Sequence, residues 1–176
     1  MAHAVGADVV VVHPPFRWQR EYAAGFVDGI AAMEESTGLA FAVENMYPWR
    51  ASPRRGVEMY LPGWDPSEEN YANATVDLSH AAIAQSLPVE MAERLSERLR
   101  HVHLTDGSGS PKDEHLVPGR GAVGAAEFLR HVARTGFSGE IVVEINTRKA
   151  SSREEREKDL RESLEFAREH FFASTP

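Results

Sequence analysis

The sequence has no cysteine. That excludes a disulfide framework and any thiolate metal site, and it fits an expected cytoplasmic location. No apolar run approaches the roughly 18 residues that a membrane span needs, so no membrane partner is expected. The opening Met1-Ala2-His3-Ala4-Val5-Gly6-Ala7 has neither a basic n-region nor a long apolar stretch, and no secretory leader is expected. Basic residues are in deficit: 19 Lys and Arg stand against 27 Asp and Glu, a formal charge of −8. The arginines are scattered. Their densest cluster, residues 153–161, alternates with Glu like a solvated helix face. No basic stripe exists to displace counterions from phosphates, which argues against a nucleic-acid partner.

The 176 residues, 42% of them hydrophobic and 26% charged, suffice for one domain with a core. Five short apolar or β-branched runs stand out, at residues 8–13, 40–44, 74–78, 102–105 and 140–145, each bounded by turn formers. Val9-Val10-Val11-Val12 is continuously apolar, as in a parallel strand covered on both faces. Helical spacing lies between the runs. Tyr22, Phe26, Ile30 and Met33 predict a helix over 17–36 that stops at Gly38. Met91, Leu95 and Leu99 predict one over 88–99, with Pro88 in its first turn. Phe128, Leu129 and Val132 predict one over 123–135. Ser152-Arg153-Glu154-Glu155 reads as a capping box opening a last helix, with Leu160, Leu164, Ala167 and Phe171 on one stripe. The stretch 48–73 is long and polar, which marks a functional or mobile loop. Strand alternates with helix throughout, the rhythm of a (β/α) barrel or a doubly wound sheet.

A polar, metal-competent side chain appears where each apolar run stops. His13 follows the first run and Glu44 ends the second. Asp77 and His80 follow the third, His103 and Asp106 the fourth, Glu144 and Asn146 the fifth. In a TIM barrel the C-terminal strand ends converge on one face, so these residues would share a pocket. Carboxylates and imidazoles without thiolate suit a divalent ion such as Zn, Mn, Co or Mg. A Glu closing a hydrophobic strand is costly to bury unpaired, and a cation would compensate Glu44 and Glu144. Asp113 and His115 alternate on an extended segment before Gly119 and Gly121, and can face a further ion or a substrate. Read alone, a surface turn with two incidental charges is the better explanation of that pair. Trp49 follows Glu44 closely enough to stack on a sugar face. Arg50, Arg54 and Arg55 are candidates for a substrate phosphate. His3, His101, His131 and His170 read as surface or packing residues.

The ordered set Glu44, Asp77-x-x-His80, His103 and Glu144 resembles the xylose isomerase-like TIM-barrel superfamily over nearly the whole chain. That superfamily includes sugar phosphate isomerases and epimerases and the endonuclease IV family. The resemblance implies an α/β fold of the (β/α)8 TIM-barrel type, and a metal on Glu44, Asp77, His103 and Glu144. As in the ketose epimerases, Glu44 and Glu144 would be the acid/base pair. The reaction would be isomerisation or epimerisation of a small sugar or sugar phosphate through an enediolate, with His80 on a substrate oxygen. These epimerases carry an Arg shortly after the ligand His; here Asp106-Gly107-Ser108-Gly109 stands in its place. The alternative resemblance, to endonuclease IV, implies a zinc phosphodiesterase acting on abasic DNA, with His13, His80, Asp113 and His115 as further ligands. The glycine expected after His80 is not there.

A complete barrel has eight strands in about 250 residues, so residues 1–176 are expected to form a single, incomplete barrel domain lacking the N-terminal strands. An open sheet edge would invite a second copy of the chain. A third reading is a non-catalytic remnant that binds a metal or partner without turnover.

Overall fold

The computed structural model describes residues 2–52 and 55–174, with side chains undescribed over 50–56 and at 174. A short helix α1 (Ala2–Val5) leads into β1 (Val9–Val12), followed by α2 (Arg20–Ala24), α3 (Phe26–Thr37) and β2 (Ala40–Glu44). A hairpin of β3 (Trp49–Ser52) and β4 (Arg55–Val57) comes next, then β5 (Ala74–Asp77), α4 (Leu78–Ala84) and α5 (Pro88–Leu95). The chain continues through β6 (Leu99–Leu104), α6 (Ala125–Arg134), β7 (Glu140–Val143) and α7 (Arg153–Phe171).

β1, β2, β5, β6 and β7 form one sheet in that order, every pair parallel. The five strands curl into a half-barrel, an incomplete TIM barrel of the α/β class. The expected strands are all present, with ends differing by at most three residues. Three expectations change. The helix expected over 88–99 ends at Leu95, and Leu99 instead opens β6. The helix expected over 17–36 is broken at Gly25 into α2 and α3. The valine run is only half-buried, because β1 lies at the sheet edge and pairs with β2 alone among the described residues.

The helix-facing side of the sheet carries the core. Val76, Val102 and Leu104 pack against Met91 and Leu95 of α5 and Phe128, Leu129 and Val132 of α6, all at most 1% exposed. Full burial of such side chains is worth about 1.5–3 kcal/mol each. Side chains alternate along a strand, so Glu44, Asp77 and His103 point to the opposite, concave side. On α7 the stripe divides. Ala167 and Phe171 pack on the core, while Leu160 and Leu164 are exposed, as is Val142 on the edge strand β7.

Caps explain where helices start and stop. α3 ends at Gly38 in the left-handed conformation, its N–H bonded to the Glu34 carbonyl. Ser152 accepts from the Glu155 N–H, and Glu155 reaches back to Ser151 N–H and Oγ at 2.6 and 2.7 Å, one residue earlier than a regular capping box. The long polar stretch after β2 is not loose at its C-terminal half. Arg94 donates to buried Asp65 at 2.9 Å, and Arg98 donates to the carbonyls of Ser67, Glu69 and Tyr71. Arg50, Arg54 and Arg55 lie outside the residues whose side chains are described.

Candidate metal centre

Parallel pairing sets the centre. Asp77 and His103 are direct neighbours across β5 and β6, and Val143, just before Glu144, pairs with Leu104. Glu44 ends β2 beside Thr75. Ligand atoms of Glu44, Asp77 and His103 lie within 4.8 Å of one another. Glu144, one residue past β7, brings Oε2 to 2.8 Å from His103 Nδ1. His103 Nδ1 also lies 3.3 Å from Glu44 Oε1 and 3.5 Å from Asp77 Oδ2.

Crowding of this kind is costly unless something compensates it. His103 Nδ1 and Asp77 Oδ2 are buried, yet neither makes a hydrogen bond of acceptable geometry. Three carboxylates surround one ring nitrogen, and none meets it along a bonding direction. Orphaned buried donor and acceptor atoms facing each other fit a shared cation, and the oxygen and imidazole donor set suits a divalent one. Asp77 divides its work. Its Oδ1 caps α4 by accepting from the His80 N–H at 2.7 Å, which leaves Oδ2 for the centre.

The electrostatics follow from the same contacts. Burial alone would raise the Glu44 carboxyl, but the rings of His103, His13 and His80 outweigh it and hold it far below the usual range. Burial would lower His103, yet Asp77, Glu144 and Glu44 push it up to about 12. His80 rises to about 11 against its own burial, through Asp113 and Glu44. Glu144 is held below the ordinary carboxylate value by His103. Charge within the cluster is thus mutually compensated, which suits groups that exchange protons for a metal.

The remaining candidates form a second ring around the first. His13 contacts Glu44 at 3.0 Å with its side chain 61% exposed. His80 is buried, 3.0 Å from Glu44 Oε1, and 3.6 Å from Asp113 through its other nitrogen. His115 meets Asp113 at 3.0 Å, and its Nδ1 lies 3.1 Å from the Glu144 carbonyl. Ligand atoms of Asp77, His80 and His115 lie within 4.8 Å of one another, a second possible cluster that shares Asp77 with the first. Asn146 lines an open cavity of about 430 Å³ together with Asp113, His115 and Glu144. Trp49 is exposed and lines a different hollow, with Tyr47, Pro48, Ile83 and Pro111, outside the ligand cluster.

Two residues that sequence reasoning passed over, Asn45 and Ser79, and one it noted only as a strand-end carboxylate, Asp106, hold this arrangement. Asn45 is fully buried; its side chain accepts from the Asp77 N–H at 2.6 Å and donates to the Asp77 carbonyl at 3.1 Å. Ser79, also fully buried, donates to Asp113 Oδ1 at 3.2 Å and accepts from the His115 N–H at 3.1 Å. Asp106 accepts from the N–H groups of Gly107, Gly119 and Val123, folding the segment that carries Asp113 and His115. A buried amide directly after a strand-end glutamate was the one signal available for Asn45. His101, expected at the surface or in packing, is buried beside His103 with ring centroids 5.0 Å apart.

The family described as xylose isomerase-like TIM barrel matches residues 1–170, and the chain belongs to it. An uncharacterized protein of Mycobacterium tuberculosis is 46% identical over 187 residues, covering 96% of this chain and 67% of its own length. Fructoselysine 3-epimerase of Escherichia coli O157:H7 is 27% identical over 110 residues, covering 52% of this chain and 40% of that protein. Among solved structures, a D-tagatose 3-epimerase-like protein superposes with a TM-score of 0.65 at 28% identity, covering 96% of this chain and 66% of that one. The chain thus spans about two thirds of the length of the M. tuberculosis protein and of the epimerase-like structure.

Proposed function

We propose, with membership of the xylose isomerase-like TIM-barrel family as the premise, that this chain carries the divalent-metal centre of an isomerase or epimerase. The substrate is a small sugar or sugar phosphate. The observation that carries the reading is the convergence of Glu44, Asp77 and His103 on one point, with two buried atoms left unbonded and Glu144 at its rim. The epimerase names among its relatives support the same chemistry.

Glu44, Asp77, His103 and Glu144 hold the ion. When bound, it polarises the sugar carbonyl and stabilises the negative charge that develops beside it. Glu144, whose side chain is about half exposed toward the cavity, takes the proton from the carbon next to the carbonyl. Glu44, 3.3 Å from the same His103 nitrogen, is its partner in returning a proton, drawn from His13 at 3.0 Å. His80 orients a substrate oxygen, and Asn146 flanks the sugar; Trp49, in a separate hollow, takes no part. Exchange of substrate protons with deuterated solvent, measured over a panel of ketoses and their phosphates, tests this. Glu44→Gln and Glu144→Gln should each abolish exchange while the far-ultraviolet circular dichroism stays native. Full activity in either variant would falsify the acid/base assignment.

The cluster of Asp77, His80 and His115 favours a second reading, an endonuclease IV-like phosphodiesterase with more than one ion. Metal-dependent nicking of an abasic duplex that is lost in His115→Ala would promote it. The net charge of −8 weighs against that substrate.

A further inference from the structure

We infer that Arg148 anchors an anionic group, phosphoryl or carboxylate, on the substrate, so that the substrate is a charged sugar and not a neutral one. The inference rests on the isomerase reading and narrows its substrate class.

The open cavity beside the centre is lined by Asp113, His115, Glu144, Asn146, Thr147 and Arg148. At about 430 Å³ it is large enough for a small sugar derivative. Its two carboxylates are already engaged. Glu144 faces His103 at 2.8 Å, and Asp113 faces His115 at 3.0 Å and His80 at 3.6 Å. Arg148 forms an ion pair with neither, and its guanidinium has no hydrogen bond among the described residues. Arg148 is exposed, so a permanent, planar cation stands hydrated at the rim of this cavity with no carboxylate of the lining engaged to it.

The backbone that carries Arg148 is held firmly. Asn146 donates its N–H to the His115 carbonyl at 2.8 Å. The Arg148 N–H bonds to Asn146 Oδ1 at 3.0 Å, and the Ala150 N–H to the Thr147 carbonyl at 3.0 Å. The loop thus takes its position from the same residues that build the centre. Phosphate sites in TIM barrels are frequently built on loops at this end of the late strands, and a guanidinium matches phosphate and carboxylate oxygens bidentately.

The test uses inorganic phosphate as probe, titrated by calorimetry at constant ionic strength into the Mg-loaded chain. Phosphate should bind the wild type. Arg148→Gln should weaken binding about tenfold or more, and Arg148→Lys should recover part of the loss by keeping the charge without the fork. No binding by the wild type, or equal affinity in Arg148→Gln within twofold, means that no anion is anchored there and overturns the proposal. The solvent-exchange assay separates the two ideas. Arg148-dependent phosphate binding without exchange on any sugar keeps the anion subsite and removes the isomerase reading. Exchange on neutral sugars, with phosphate binding indifferent to Arg148, does the reverse.

Discussion

Replacing Glu44 by Gln removes one charge and almost no volume from the most crowded point of the molecule. In the wild type the Glu44 carboxylate, with its side chain 3% exposed, faces His13 and His80 at 3.0 Å and His103 at 3.3 Å. Removing one partner of a buried ion pair typically costs about 3–5 kcal/mol, because the opposite charge is left uncompensated. Here the rings keep Asp77, Asp113 and Glu144 as neighbours, so the lower end applies, about 3 kcal/mol. For a chain of this size that is a fall in Tm of roughly 6–12 °C. The pH window follows from the shifts. The Glu44 carboxyl is depressed in the folded state, so its contribution is present above the unfolded value of 4.5 and is lost as pH falls through its lower folded value. The imidazoles are raised, so theirs is complete below 6.5 and is lost as pH rises through about 11 for His80 and about 12 for His103. The difference between wild type and variant should therefore be full near pH 5–6 and shrink at both extremes. Thermal denaturation after chelator treatment measures it. A second scan with excess Mg or Mn should stabilise the wild type by far more than the variant, which has lost a charged ligand. A Tm change under about 2 °C without metal, or equal stabilisation of both proteins by metal, would refute the geometry of the centre.

Other expectations are shorter to state. Asn45→Ala strips the partners of both the N–H and carbonyl of Asp77, at about 1–3 kcal/mol for each unsatisfied buried group, and should lower metal affinity along with stability; an unchanged denaturation midpoint would exclude the role assigned to that amide. Gly121→Ala places a Cβ against the Asp106 carboxylate and the Gly107 carbonyl, an overpacking cost of about 1–3 kcal/mol, and should displace the segment bearing Asp113 and His115, seen as a changed electronic spectrum of the Co-loaded protein. Metal binding must expel protons from the ring nitrogens of the centre, so affinity in competition with a chromophoric chelator should climb between pH 6 and pH 8; a flat profile would mean that His103 is not a ligand.

Local pattern carried much of this protein. Apolar runs bounded by turn formers marked every strand of the half-barrel, because a strand covered by helices needs an uninterrupted apolar stretch that shows in one dimension. The polar residues closing those runs included Glu44, Asp77, His103 and Glu144, since strand ends on one side of a parallel sheet must share a mouth, but it was the family resemblance that picked these four out as a set. Partnership was invisible there. That Asn45 would grip both backbone groups of Asp77, that Ser79 would tie down Asp113 and His115, and that Asp77 would cap α4 with one oxygen while turning the other to the centre depended on the register between β2, β5 and α4, and on a loop folding back through Asp106. The valine run of β1 made the same point in reverse: its composition suited burial on both faces, but exposure is set by how many neighbours a strand has, and β1 has one among the described residues. Hydrophobic periodicity is a property of a segment, whereas hydrogen-bond partners and burial belong to pairs of segments far apart in the chain.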